Sequence, residues 1–121
     1  MSHINRPESW ELVVLPDGVN KVAFDKDKKV ENAGKFVVER EDHTLGNVVR
    51  MQLLEDPRVN FAGYLMPHPL EHKIEIHVHT TPDSNPADAV ITTCNTLIDK
   101  LNRLEEKFDA EVARKQQESM Y

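Results

Sequence analysis

The stretch Glu41-Asp42-His43-Thr44-Leu45-Gly46-Asn47-Val48-Val49-Arg50 joins a strand-like run to a helix, and the rest of the chain is arranged around it. Thr44 reads as the helix N-cap, because its hydroxyl can accept from the free amide of Asn47. Glu41 and Asp42 put negative charge near the positive end of the helix dipole. Leu45, Val48, Val49 and Leu53 then recur at helical spacing and form one apolar face. Pro57 ends the segment, since the residue before a proline is pushed out of helical geometry. Gly46 is the oddity. In the first helical turn it costs about 1 kcal/mol relative to alanine. Either it is merely tolerated at the cap, or its missing side chain admits a second backbone.

Upstream, residues 1–8 read as a mobile arm with no apolar core of the kind a signal peptide needs. Residues 10–15 form a short apolar strand candidate, stopped by the turn Pro16-Asp17-Gly18. Val22 and Phe24 alternate with polar neighbours, which predicts a second short strand with one buried face. Residues 35–40 predict a third strand, with Phe36 and Val38 on one side and Val37 on the other, leading straight into the helix at about 44–55.

Downstream, residues 59–66 predict a strand in which Val59, Phe61 and Leu65 share a face with Gly63. Pro67 and Pro69 stiffen the connector that follows. Residues 73–80 carry the clearest alternation: Ile74, Ile76 and Val78 point one way, and Lys73, Glu75, His77 and His79 the other. Such a strand belongs in an antiparallel sheet with one face on the core. Asn85 then caps a last helix in which Pro86 is the first helical residue. Past Val112 the sequence is polar all round, and residues 113–121 read as a frayed tail.

Composition narrows the function classes. The chain has 121 residues, 39% hydrophobic and 30% charged, which fits one ordinary globular domain over 1–121. No apolar run approaches the roughly 18 residues a membrane span needs. One cysteine, Cys94, excludes an internal disulfide and fits a reducing compartment. The net charge of −6, with no basic run longer than a pair, weighs against direct nucleic-acid contact as the main role.

Catalytic patterns are sparse. Four scattered glycines make no phosphate loop, and no serine sits in a nucleophile elbow. Cys94, in the middle of a helical seam, reads as a buried structural residue. His68, His72, His77 and His79 could contribute to a zinc site, but they lie on the polar strand face without a completing ligand cluster. His43 beside Asp42 could form an acid–base pair. At a helix entrance it reads better as a structural hydrogen-bonding residue. The chain thus predicts no catalytic residue, no cofactor and no metal.

The last helix asks for a partner. Ala87, Val90, Ile91, Cys94, Leu97, Ile98, Leu101, Leu104 and Phe108 make a near-heptad seam. A helix of about 27 residues is roughly 40 Å long, whereas a domain of this size is only about 35 Å across. A seam that outruns its own sheet must meet another chain, unless the helix lies diagonally and buries itself.

The motif run EDHTLGN at 41–47, followed by Arg50, resembles the α-like subunits of RNA polymerases, including a related Thr-Leu-Gly-Asn stretch in the bacterial α N-terminal domain. The resemblance extends through Asp56-Pro57-Arg58-Val59, Phe61-Ala62-Gly63-Tyr64, the 67–73 connector and Thr80-Thr81-Pro82-Asp83, covering about residues 8–112. It is strongest to the smaller α-like subunits of eukaryotic RNA polymerase II. The related subunits shared by polymerases I and III carry a longer acidic N-terminal extension that this sequence lacks.

That resemblance implies an α+β fold: a small, mostly antiparallel sheet packed against two helices, the second one long. It implies a non-catalytic nuclear subunit that heterodimerises with the larger α-like subunit and joins the other polymerase II core subunits. The interface expected on both grounds comprises Thr44, Leu45, Gly46, Val48, Val49 and Leu53 on the first helix, with Leu97, Leu101, Leu104 and Phe108 on the last. A free-standing homodimer and a small metal enzyme built on the histidines are the competing readings.

Overall fold

β4 (Lys73–Thr80) is an inner strand of a four-stranded antiparallel sheet, and its alternation is fully realised. Ile74, Ile76 and Val78 are buried, while the residues between them are only partly covered. The strand order is β1 (Val22–Lys26), β2 (Ala33–Glu39), β4 and β3 (Val59–Leu65). Helices α1 (His43–Leu53) and α2 (Pro86–Ser119) pack on the β3–β4 side of one face. The computed structural model describes residues 8–119. The expected arm at 1–8 therefore lies almost wholly outside the described residues.

Phe36, Val38, Ile74, Ile76 and Val78 from the sheet close on Val49 and Leu53 from α1 and Ala89 from α2, which makes one core. The α+β architecture is the expected one, but four local expectations change. The apolar run at 10–15 is not a strand: Ser9–Leu12 forms a 3₁₀ turn instead. Glu8 and Glu11 close a reciprocal capping box there, which supplies the backbone partners a strand would have needed.

β1 has no buried face. Val22 and Phe24 pair in register with Val38 and Phe36, so they share the helix-bearing side of the sheet. Neither helix reaches across to them, and both remain about half exposed. In β3 the register slips between Val59 and Phe61. This bulge at Asn60 shifts the alternation by one residue. Ala62 and Tyr64 therefore join Val59 on the core side, and Phe61 and Leu65 are left exposed.

Finally, α2 runs on to Ser119, through the segment expected to fray. Arg114 bonds to Glu111 and Glu118, and Lys115 to Glu118, at helical spacings of three and four. Pairs at these spacings support a solvated helix without a buried face.

Candidate subunit interface

The turn into α1 is set by Arg40, which ends β2 with φ +58°. Its side chain Nε donates to the Val14 carbonyl at 3.3 Å, and its backbone amide donates to the His72 carbonyl. Asp42, rather than Thr44, is the N-cap: its carboxylate accepts from the Thr44 amide at 2.9 Å. The cap thus lies two residues earlier than expected, and Thr44 is an exposed residue of the helix's first turn. The Thr44 amide, followed by its side chain, holds the Asp42 carboxyl below the ordinary carboxylate value.

Gly46 does admit a close neighbour, but that neighbour belongs to its own chain. A β-carbon built there would lie 2.5 Å from Cδ2 of Tyr64 and 2.9 Å from its Cγ. The Tyr64 ring occupies the space a side chain would take, and its hydroxyl meets His43 Nδ1 at 2.9 Å. His43 therefore pairs with a tyrosine across the helix–sheet junction. The expected approach of a partner's backbone at Gly46 is replaced by this aromatic contact.

α1 is apolar on two sides, and the fold divides them. Gly46, Val49 and Leu53 are buried in the chain's own core, and Leu45 is half-buried against it. As interface candidates, Gly46, Val49 and Leu53 are corrected to core residues. Val48 remains open, 46% exposed, beside Thr44 and with Met51 one turn on at 57%. The three-residue step from Val48 to Met51 was the available signal for Met51.

α2 starts on a reciprocal cap: Asn85 Oδ1 accepts from the Asp88 amide at 2.9 Å, and Asn85 Nδ2 donates to the Asp88 carboxylate at 2.8 Å. The residues it buries are small: Pro86, Ala89 and Thr93. Small side chains let the helix axis lie close to α1 and β4. Lys100 then ties the two helices together, donating to Gln52 Oε1 at 2.6 Å and to Glu55 Oε2 at 3.1 Å. This ammonium, by hydrogen bonding first and charge second, holds the Glu55 carboxyl below its ordinary value.

The large apolar residues of α2 take the other side. Leu97 is half-buried against the core, but Ile91, Ile98, Leu101, Leu104, Phe108 and Val112 stand exposed, Leu101 and Phe108 at 60% and 65%. Cys94 is exposed among them, not buried as expected. A helix of 34 residues is about 51 Å long, and every described residue from Leu101 onward is exposed. The helix overhangs its own sheet; it does not lie diagonally within it. Monomers rarely expose an apolar stripe of this length.

Elsewhere the chemistry is ordinary. His77 sits 3.4 Å from Glu75, and His79 packs edge-on against Phe61. Among the described residues, no group of three or more His, Cys, Asp or Glu side chains is placed to hold a metal ion.

Comparison with known proteins points the same way as this open face. A family model described as the RNA polymerase Rpb3/Rpb11 dimerisation domain matches residues 33–107. The DNA-directed RNA polymerase II subunit rpb11 of Dictyostelium discoideum is 44% identical over 112 residues, which is 93% of both chains. The probable DNA-directed RNA polymerase II subunit RPB11 of Caenorhabditis elegans is 46% identical over 111 residues, 92% of this chain and 90% of that one. The RNA polymerase II subunit RPB11 of Schizosaccharomyces pombe is 41% identical over 105 residues, 87% and 85% of the two chains. Among solved structures, subunit L of the DNA-directed RNA polymerase of Thermoplasma acidophilum shares the fold, with a TM-score of 0.62 at 22% identity. That match covers 78% of this chain and 93% of the other.

Proposed function

The chain belongs to the Rpb3/Rpb11 dimerisation-domain family of RNA polymerase subunits, and from that membership we propose that it is the small α-like subunit of RNA polymerase II. It is a non-catalytic subunit that works in transcription by heterodimerising with the larger α-like subunit. The pair is the platform on which the two largest subunits assemble, and it acts in the nucleus. The similarity at 41–46% to subunits named for polymerase II supports that enzyme over polymerases I and III.

One observation carries the reading: the continuous apolar face of α2, left open by the fold. Burying an aliphatic or aromatic side chain of this size stabilises by about 1.5–3 kcal/mol. Association costs about 4–15 kcal/mol before any net affinity appears. Covering one or two residues of the stripe would not offset that cost. Covering most of it at once would, so the partner must lay an element along α2. The proposed contact set is Thr44, Val48 and Met51 on α1 with Ile91, Ile98, Leu101, Leu104, Phe108 and Val112 on α2, and with Leu45 and Leu97 at its edge.

Co-expression with the larger α-like subunit tests this. The double substitution Leu101→Asp, Phe108→Asp should abolish co-purification while leaving the far-UV circular dichroism largely intact, because both residues are exposed in the chain alone. Co-purification at the wild-type level would defeat the proposal.

A further inference from the structure

The seam of α2 has two chemically different edges. Lys100, Lys107 and Arg114 recur every seven residues, the last two on the overhanging part of the helix. Each of the first two immediately precedes a seam residue, Leu101 and Phe108. At about 100° per residue they stand together on one side of the stripe. The residues that follow Leu101, Leu104 and Phe108 are Asn102, Glu105 and Asp109, which give the other side a neutral-to-acidic edge.

The cationic edge already shows what it takes. Where it borders the C-terminal end of α1, at Lys100, it meets Gln52 of that helix and Glu55 just past it. One turn pair further on, past the end of α1, Lys107 has no carboxylate within 4.0 Å among the described residues. Among the described residues, Arg114 pairs with Glu111 and Glu118 of its own helix.

We propose that the cationic edge at Lys107 is a specificity element of the heterodimer, read by a carboxylate on the amphipathic helix that the larger α-like subunit lays along α2. This rests on the proposed interface and adds the chemistry of the partner's facing edge. The geometry also bears on self-pairing. Two copies of α2 meeting antiparallel set like edges against each other, so Lys107 would face an edge on which Lys100, Lys107 and Arg114 outnumber the carboxylate of Glu111. Opposed like charges discriminate against a wrong partner. An acidic-edged partner helix meets no such opposition.

The test is the affinity of the full chain for the larger α-like subunit as a function of salt. Exposed ion pairs are individually weak, so Lys107→Glu should weaken binding about three- to tenfold at roughly 0.1 M salt, and Lys107→Arg should bind as the wild type does. The difference between Lys107→Glu and wild type should close toward 1 M salt, where the Debye length falls to about 3 Å. Equal affinity of Lys107→Glu and wild type at low salt would overturn the inference, as would a loss that persists unchanged at high salt. If that happens while Leu101→Asp, Phe108→Asp still blocks binding, the interface stands and only its electrostatic edge falls. If the double seam variant also binds normally, both fall. A stable homodimer of the isolated chain, weakened by Lys107→Glu, would likewise overturn it.

Discussion

Gly46 shows how a single position can be legible in kind and misassigned in detail. A glycine in the first turn of a helix signals a close neighbour, and there is one. The neighbour is Tyr64, whose ring comes from a strand on the other side of a turn and is fixed by the bulge at Asn60. Neither the bulge nor the ring's direction leaves a mark on local periodicity. Gly46→Ala should therefore destabilise the fold by about 1–3 kcal/mol through overpacking, outweighing the roughly 1 kcal/mol of helix propensity it gains. Urea unfolding of the single variant, and of Gly46→Ala combined with Tyr64→Ala, checks this: the alanine should cease to destabilise once the ring is gone. Asp42 makes a second prediction. Its carboxyl is held below the ordinary value by the Thr44 amide, so its capping contribution is full above about pH 4 and is lost as pH falls through the lowered pKa. Asp42→Ala should cost about 0.5–2 kcal/mol at neutral pH, with the gap from wild type narrowing in acid titrations.

At the scale of elements, legibility followed coverage. β4 and β2 were readable because each lies inside the sheet with one covered face, so alternation and burial coincide. β1 has the same alternation, but burial there depends on whether a helix reaches the sheet edge, which no local pattern records. α1 posed the same difficulty in another form. Leu45, Val48, Val49, Met51 and Leu53 make it apolar on two sides, and the sequence does not say which side is inside. The fold decides for Val49 and Leu53, and the two sides should respond differently to substitution. Leu53→Ala should cost about 2–5 kcal/mol of stability, the usual penalty for a large-to-small change in a core. Val48→Asp should leave the unfolding midpoint of the isolated chain nearly unchanged while weakening association with the larger α-like subunit. Thermal unfolding and co-purification of the two variants, measured side by side, separate the roles.

For the whole molecule, the α+β plan and the need for a partner were both present in the chain, because an apolar seam longer than its own domain is a statement about geometry. What the sequence did not resolve was the division of labour within α2. Small residues, Pro86, Ala89 and Thr93, dock the helix on its own body with Val90 and Leu97 half-buried beside them, which leaves Ile91, Ile98 and the large residues from Leu101 onward open for another chain. Docking through small side chains places the helix close without consuming its apolar stripe, and Lys100 holds α2 against Gln52 of α1 and Glu55 just beyond its end. The central claim is that the overhanging stripe is the surface the partner covers. Amide hydrogen exchange along α2, recorded on the chain alone and in complex with the larger α-like subunit, tests it most directly. Protection concentrated at residues 101–112 on binding is the predicted result. Unchanged exchange there, with protection confined to the opposite face of the sheet, would contradict it.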